Sequence, residues 1–226
     1  MQKTVSVTFM LTGILFTACL IIANIIAVKI VEVGSLALPA SILIFPVTYI
    51  LNDVIAEVWG FKKARLIIWS GLAMNAVMAL FFWLSIVIPA APFWNDQSSY
   101  AHILGSTPRL VAASFAAYLT GSFLNAFVMS RMKIFHKGKY FGVRAVLSTL
   151  AGETADSFIF ITVAFAGIFA AENLVLMIGT QVLFKTLYEI LALPLTSYVV
   201  KWFKKIENTD VFDTSISYNP FKVKDV

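Results

Sequence analysis

Apolar residues in this chain come in long runs, not in one-sided stripes. Six stretches are hydrophobic around the whole helical circumference over about the 20 residues that a membrane crossing needs. They are Val7–Val28, Leu38–Val58, Arg65–Ile88, Leu110–Met129, Val143–Ala166 and Leu174–Trp202. This pattern predicts an all-α polytopic membrane protein with about six transmembrane helices. The sixth stretch is long enough to tilt or to bend at Pro194. The second scores lowest because of its acids, but the connections on either side fit only if it crosses.

Polar positions inside the runs are few and regularly spaced. Asp53 and Glu57 stand four residues apart, one turn after Tyr49, so all three share a helix face. Glu153 and Asp156 share a face of the fifth span near mid-membrane. Gln181, Lys185 and Glu189 form a stripe on the sixth. Asn24, Asn75, and the pair Tyr118 and Asn125 bring hydrogen-bonding groups to the first, third and fourth spans. A charge at the bilayer centre costs roughly 2.5–3.5 kcal/mol on insertion scales. These groups therefore face the bundle interior.

Composition agrees with the pattern. Of 226 residues, 60% are hydrophobic, against about 45–50% in soluble domains, and the mean hydropathy is +0.87. The net charge of +5 does not point to a nucleic-acid binder, because the basic residues flank apolar runs as topology signals do. Lys3, the group Lys62, Lys63 and Arg65, the loop from Arg131 to Arg144, and the group Lys201, Lys204 and Lys205 fall on one side if both termini are cytoplasmic. Lys29 and Arg109 fall on the other. Residues 1–206 are expected to form one transmembrane domain, and 207–226 a short, weakly ordered cytoplasmic tail. The first run is too long for a cleavable signal and is expected to remain as a span. Cys19 is the only cysteine, so no intrachain disulfide or cysteine metal site is expected. Ala113, Ala117, Gly121 and Asn125 recur every four residues; small-residue faces of this kind allow close helix packing and permit a homodimer.

Asp53, Glu57, Glu153, Asp156 and Glu189 face only Lys185 within the spans. Glu57, nearest the basic boundary, is expected to meet Lys62 or Arg65. Acid–lysine pairs can simply fix helix register, but that role does not account for so many unmatched acids. The excess calls for protons, a cation or a donor-rich ligand, and so for transport. Phosphate-binding loops, metalloprotease helices and nucleophile elbows are missing, so no enzyme activity, metal or cofactor is expected.

The run FPVTYILNDVIAEVWGFKKAR resembles the most characteristic stretch of the queuosine precursor transporters of the vitamin uptake transporter family. The similarity continues through Arg109, Ser114, Tyr118 and Asn125, through GETADSFIFITVAFAG, and through Lys185, Pro194 and Tyr198. It implies a six-helix fold like the substrate-binding subunits of energy-coupling-factor transporters. It further implies a bacterial inner-membrane importer of 7-cyano-7-deazaguanine or its aminomethyl relative, for salvage into tRNA modification. Members are thought to work without the ATPase module. A binding subunit that needs an ATPase partner, or a membrane-embedded enzyme, are the alternatives. A carboxylate can accept the ring N–H and exocyclic amine of a guanine-like edge together. Glu153 and Asp156 are first choices for that role, with Asn75 or Asn125 at the carbonyl edge. Tyr49 and Tyr118 are candidates for stacking, with Gln181 and Lys185 nearby. Asp53, Glu57 and Glu189 are candidates for coupling or gating.

Overall fold

A computed structural model describes residues 5–33, 36–105 and 108–222. Its helices are α1 (Val7–Ile26), α2 (Phe45–Trp59), α3 (Phe61–Val87), α4 (Gln97–Leu104), α5 (Pro108–Phe135), α6 (Phe141–Phe165) and α7 (Ala171–Glu207). An antiparallel hairpin, β1 (Ile30–Val33) and β2 (Leu36–Pro39), and a 3-10 turn (Ala40–Leu43) lie between α1 and α2. Five helices (α1, α3, α5, α6 and α7) are long and apolar enough to cross a membrane.

The second crossing differs from the sequence expectation. Its first residues enter β2 and the 3-10 turn, and α2 keeps only 15 residues, a rise of about 22 Å. That is short of a roughly 30 Å hydrocarbon core. Protein surrounds it instead: twelve of its residues are buried, including Asn52, Asp53 and Glu57. A helix with this polar content is tolerated because its neighbours, not lipid, cover it.

Around α2, helices α1, α3 and α6 run antiparallel to it and α5 and α7 run parallel to it. Phe9 at the start of α1 meets Trp59 at the end of α2, with ring centroids 5.4 Å apart. Ser6 caps α1 by accepting from Phe9 N–H and donates to Glu207 at the end of α7. At the opposite end, Arg109 in the first turn of α5 donates to the carbonyls of Val163 and Ala166. It thereby satisfies the last turn of α6. Helix α4 was not expected; it lies in the long connection and is tied to α3 by Gln97 to Ile86 O and Tyr100 to Ser85.

The small-residue stripe of α5 is used within the chain. A Cβ on Gly121 would stand 2.9 Å from the Gly152 carbonyl oxygen, and one on Gly152 would stand 2.8 Å from the Gly121 oxygen. Two facing glycines thus set how closely α5 and α6 cross, which is the packing use of such residues in membranes.

The tail is better ordered than expected. Residues 208–222 fold back over the ends of α2, α3 and α5. Asp213 is buried and accepts from Phe61 N–H at 2.8 Å and from Ser130 at 2.6 Å. Its carboxylate thereby caps the N-terminus of α3 from outside the helix. Arg65 donates to the carbonyls of Ser217 and Asn219, and Trp69 to that of Pro220. The sequence signal was ambiguous, because a mixed polar tail reads alike whether it is solvated or strapped down. Gly60, at φ +82, makes the turn between α2 and α3 beneath this strap; a side chain there would strike Asp213 and Val211.

Candidate functional site

The buried polar residues collect in three tiers along α2. Nearest the α1–α2 hairpin is a cavity of about 210 Å³. Its walls include Phe45, Phe115, Tyr118 and Phe160, with Asn24, Asn75, Ser114, Asp156, Gln181 and Lys185 as polar groups. Lys185 Nζ lies 2.6 Å from Glu153 Oε2, donates to Asp156 Oδ2 at 3.1 Å, and sits 4.3 Å from the centroid of Phe45. Two acids thus share one cation at the wall of the cavity. Asn24 donates to Asn75 Oδ1 across the space between α1 and α3, while Asn75 donates to Gly71 O. A second cavity, of about 270 Å³, shares Asn24, Asn75, Ser114, Phe115 and Phe160 with the first and extends toward α4.

The middle tier is Asp53. It accepts from Asn125 Nδ2 at 2.8 Å and from Ser148. Asn52 donates to Asn125 Oδ1 and Ser122 O, which orients the Asn125 amide. Glu189, on α7 packed against α2, is an electrostatic neighbour of Asp53.

The third tier, at the basic end, is a salt-bridge network. Arg144 grips Glu57 through two guanidinium nitrogens. Lys204 lies 2.6 Å and Lys133 3.9 Å from the same carboxylate. Lys133 also donates to Asp210 and to the Val211 carbonyl. Glu57 thus meets neither Lys62 nor Arg65, contrary to the sequence expectation. Residues read only as topology signals neutralise it, because α5, α6 and α7 converge on the end of α2. Partial burial acts to raise the Asp210 carboxyl pKa, but hydrogen bonds and charge from Lys133 and Lys204 outweigh it and hold the group below the usual carboxylate value.

Of the expected binding residues, Asp156, Asn75, Tyr118, Gln181 and Lys185 line the first cavity. Glu153 lies behind it, fully buried against Lys185. Tyr49 sits at the α5–α6 crossing, where its hydroxyl would touch a Cβ on Gly121. Asn125 serves Asp53, not the cavity. The Tyr118 hydroxyl is already bound to Ile68 O, so only its ring is offered. Sequence reasoning missed Phe45, Phe115 and Phe160 as walls and the Arg144, Lys133 and Lys204 grip. Nothing in a single apolar run distinguishes a lining phenylalanine from a lipid-facing one.

The chain resembles known proteins in sequence. Residues 39–199 match the family described as "Putative vitamin uptake transporter". The chain is 28% identical over 175 residues to the "Probable queuosine precursor transporter" of Bacillus subtilis (strain 168), covering 76% of each protein. It is 29% identical over 134 residues to the protein of that name from Haemophilus influenzae, covering 58% of this chain and 54% of the relative. It is 28% identical over 124 residues to the "Queuosine precursor transporter" of Escherichia coli (strain K12), covering 54% and 52%. The chain thus spans about half the length of these last two. No solved structure matches it.

Proposed function

Because the chain belongs to the vitamin uptake transporter family, we propose that it imports queuosine precursors, 7-cyano-7-deazaguanine or its aminomethyl relative, across the bacterial inner membrane. Both termini lie in the cytoplasm. The observation that carries this reading is the first cavity: a small space with aromatic walls, the carboxylate of Asp156 held by Lys185, and the amides of Asn24, Asn75 and Gln181. Its volume of about 210 Å³ is below the roughly 300–1,000 Å³ of pockets for drug-sized ligands, which suits a bare base. A flat bicyclic ring stacks against Phe45, Phe115 or Phe160. The guanine-like N–H and amine donate to Asp156. Asn75 or Gln181 serves the carbonyl edge. Lys185 holds Asp156 aligned until the ligand takes up its free lone pairs. The lysines and arginines gathered at the end that holds Ser6 and Glu207 support the assigned orientation, since such residues are enriched on the cytoplasmic side.

Labelled 7-cyano-7-deazaguanine supplied to cells unable to make it, and lacking any energy-coupling ATPase, tests the reading. Uptake should require this protein. Asp156→Asn should lower it at least tenfold at unchanged membrane abundance, since one of two paired acceptors becomes a donor. Absence of uptake by the inserted wild-type protein overturns the assignment.

A further inference from the structure

Helix α7 turns most of its 37 residues away from the bundle core; Glu189, Thr196 and Val200 are its buried positions. A carboxylic acid is thus among the few side chains it commits to the interior. Glu189 is 1% exposed, and its Oε1 has no hydrogen-bond partner among the described residues. It lies on α7, which packs against α2, and is an electrostatic neighbour of Asp53, which is fully buried.

We propose that Glu189 and Asp53 form a proton site that couples transport to the proton gradient. The proposal rests on the importer reading above. Charge balance carries it. In the salt-bridge network, Glu57 and Asp210 are matched by Arg144, Lys133 and Lys204. At the cavity, Glu153 and Asp156 share Lys185. All four cations are engaged by those four acids, and none of them forms an ion pair with Asp53 or Glu189 among the described residues. Two ionised carboxylates buried side by side without a cation are strongly disfavoured, and such a pair holds a proton between them.

Every packed element agrees. On α2, Glu57 lies one turn toward the basic end and is held by its own cations, while Tyr49 lies one turn the other way. On α7, Lys185 lies one turn from Glu189 and is engaged by the cavity acids. From α5 comes the neutral donor Asn125 and from α6 the neutral donor Ser148, both pointing at Asp53; α6 also brings the carboxylate Glu153, held by Lys185, into the electrostatic reach of Glu189. These donors sustain Asp53 as the acceptor and leave Glu189, which lacks a donor, to carry the proton. They also argue against a metal cation, whose ligands must be acceptors. Among the described residues no group of three or more His, Cys, Asp or Glu is placed to hold a metal.

The test uses purified full-length protein in liposomes with labelled 7-cyano-7-deazaguanine. Glu189→Gln mimics the permanently protonated state. The variant should keep substrate exchange between the two sides within about twofold of wild type. It should lose accumulation driven by an imposed proton gradient. Gradient-driven accumulation by Glu189→Gln at the wild-type level overturns the proposal. So does a wild-type protein that exchanges substrate but never responds to the gradient, an outcome that leaves the importer reading intact. A wild-type protein that neither exchanges nor accumulates the base overturns both. A measurement on unmodified protein covers a misfolded variant: substrate added in weakly buffered detergent should change the proton occupancy, seen with a pH dye, and no change overturns the site.

Discussion

The α5–α6 crossing supports a quantitative prediction, because backbone meets backbone there. Alanine at Gly152 would bring its Cβ to 2.8 Å from both the Gly121 oxygen and the Asn125 Cβ, and 3.0 Å from the Tyr49 ring. Ordinary contact begins near 3.4 Å, so the helices must separate by several tenths of an ångström. Overpacking a well-packed interior costs about 1–3 kcal/mol. The upper half of that range applies here, because neither helix can yield by rotating a side chain. For a chain of this size, 2–3 kcal/mol corresponds to a melting shift of roughly 4–12 °C. Function should suffer too: Asp156 lies one turn beyond Gly152 on the same face of α6, and its 3.1 Å bond to Lys185 crosses to α7. We expect Gly152→Ala to lower the melting temperature in detergent by several degrees and to reduce base uptake. Gly179, on α7, is the control. A Cβ there meets nothing within 4 Å, and alanine favours a helix by about 1 kcal/mol over glycine. Gly179→Ala should therefore melt at or above the wild-type temperature. Equal melting temperatures and equal uptake for Gly152→Ala and wild type would refute the argument that the two glycines set the crossing.

Three further outcomes follow from the basic end. Arg144→Met leaves Glu57 with its lysines but without the two-pronged grip; it should cost about 3–5 kcal/mol, the usual loss when a buried pair is broken. The double variant with Glu57→Met should be less destabilised than the two single losses added together, as thermal melting of all four proteins would show. Asp213→Ala removes the carboxylate shared by Phe61 N–H and Ser130, for about 1.5–3 kcal/mol, and should make the tail more sensitive to protease. The Asp210 carboxyl is held below its unfolded value of about 3.9, so its contact with Lys133 and Lys204 stabilises fully above that pH. The contribution is lost as pH falls through the lower folded value. Proteolysis of residues 208–222 should therefore stay constant from pH 7 to about pH 5 and rise only below about pH 4; a rise near pH 6 would contradict it.

The all-α membrane class and most of the crossings were legible in the sequence, because lipid acts on each span separately. A run of about 20 apolar residues satisfies its own backbone and needs no partner to be recognised. The choice of polar residues was legible for the same reason: Asp53, Glu57, Glu153, Asp156, Lys185 and Glu189 stand out where charge is expensive. Their division of labour was decided by the tertiary structure. Asn125 and Asp156 read alike as intramembrane hydrogen-bonding groups, yet one orients Asp53 and the other lines a cavity. Arg144 and Lys204 counted as loop charges until three helices brought them to Glu57. Helix α2 read as a full-length span and is a shorter helix enclosed by its neighbours, because protein cover replaces the hydrophobicity it lacks. The tail read as loose, yet Asp213 closes the N-terminus of α3. Each of these outcomes depends on groups far apart in the chain meeting at a few ångströms. No local pattern of apolar and polar residues specifies such a distance.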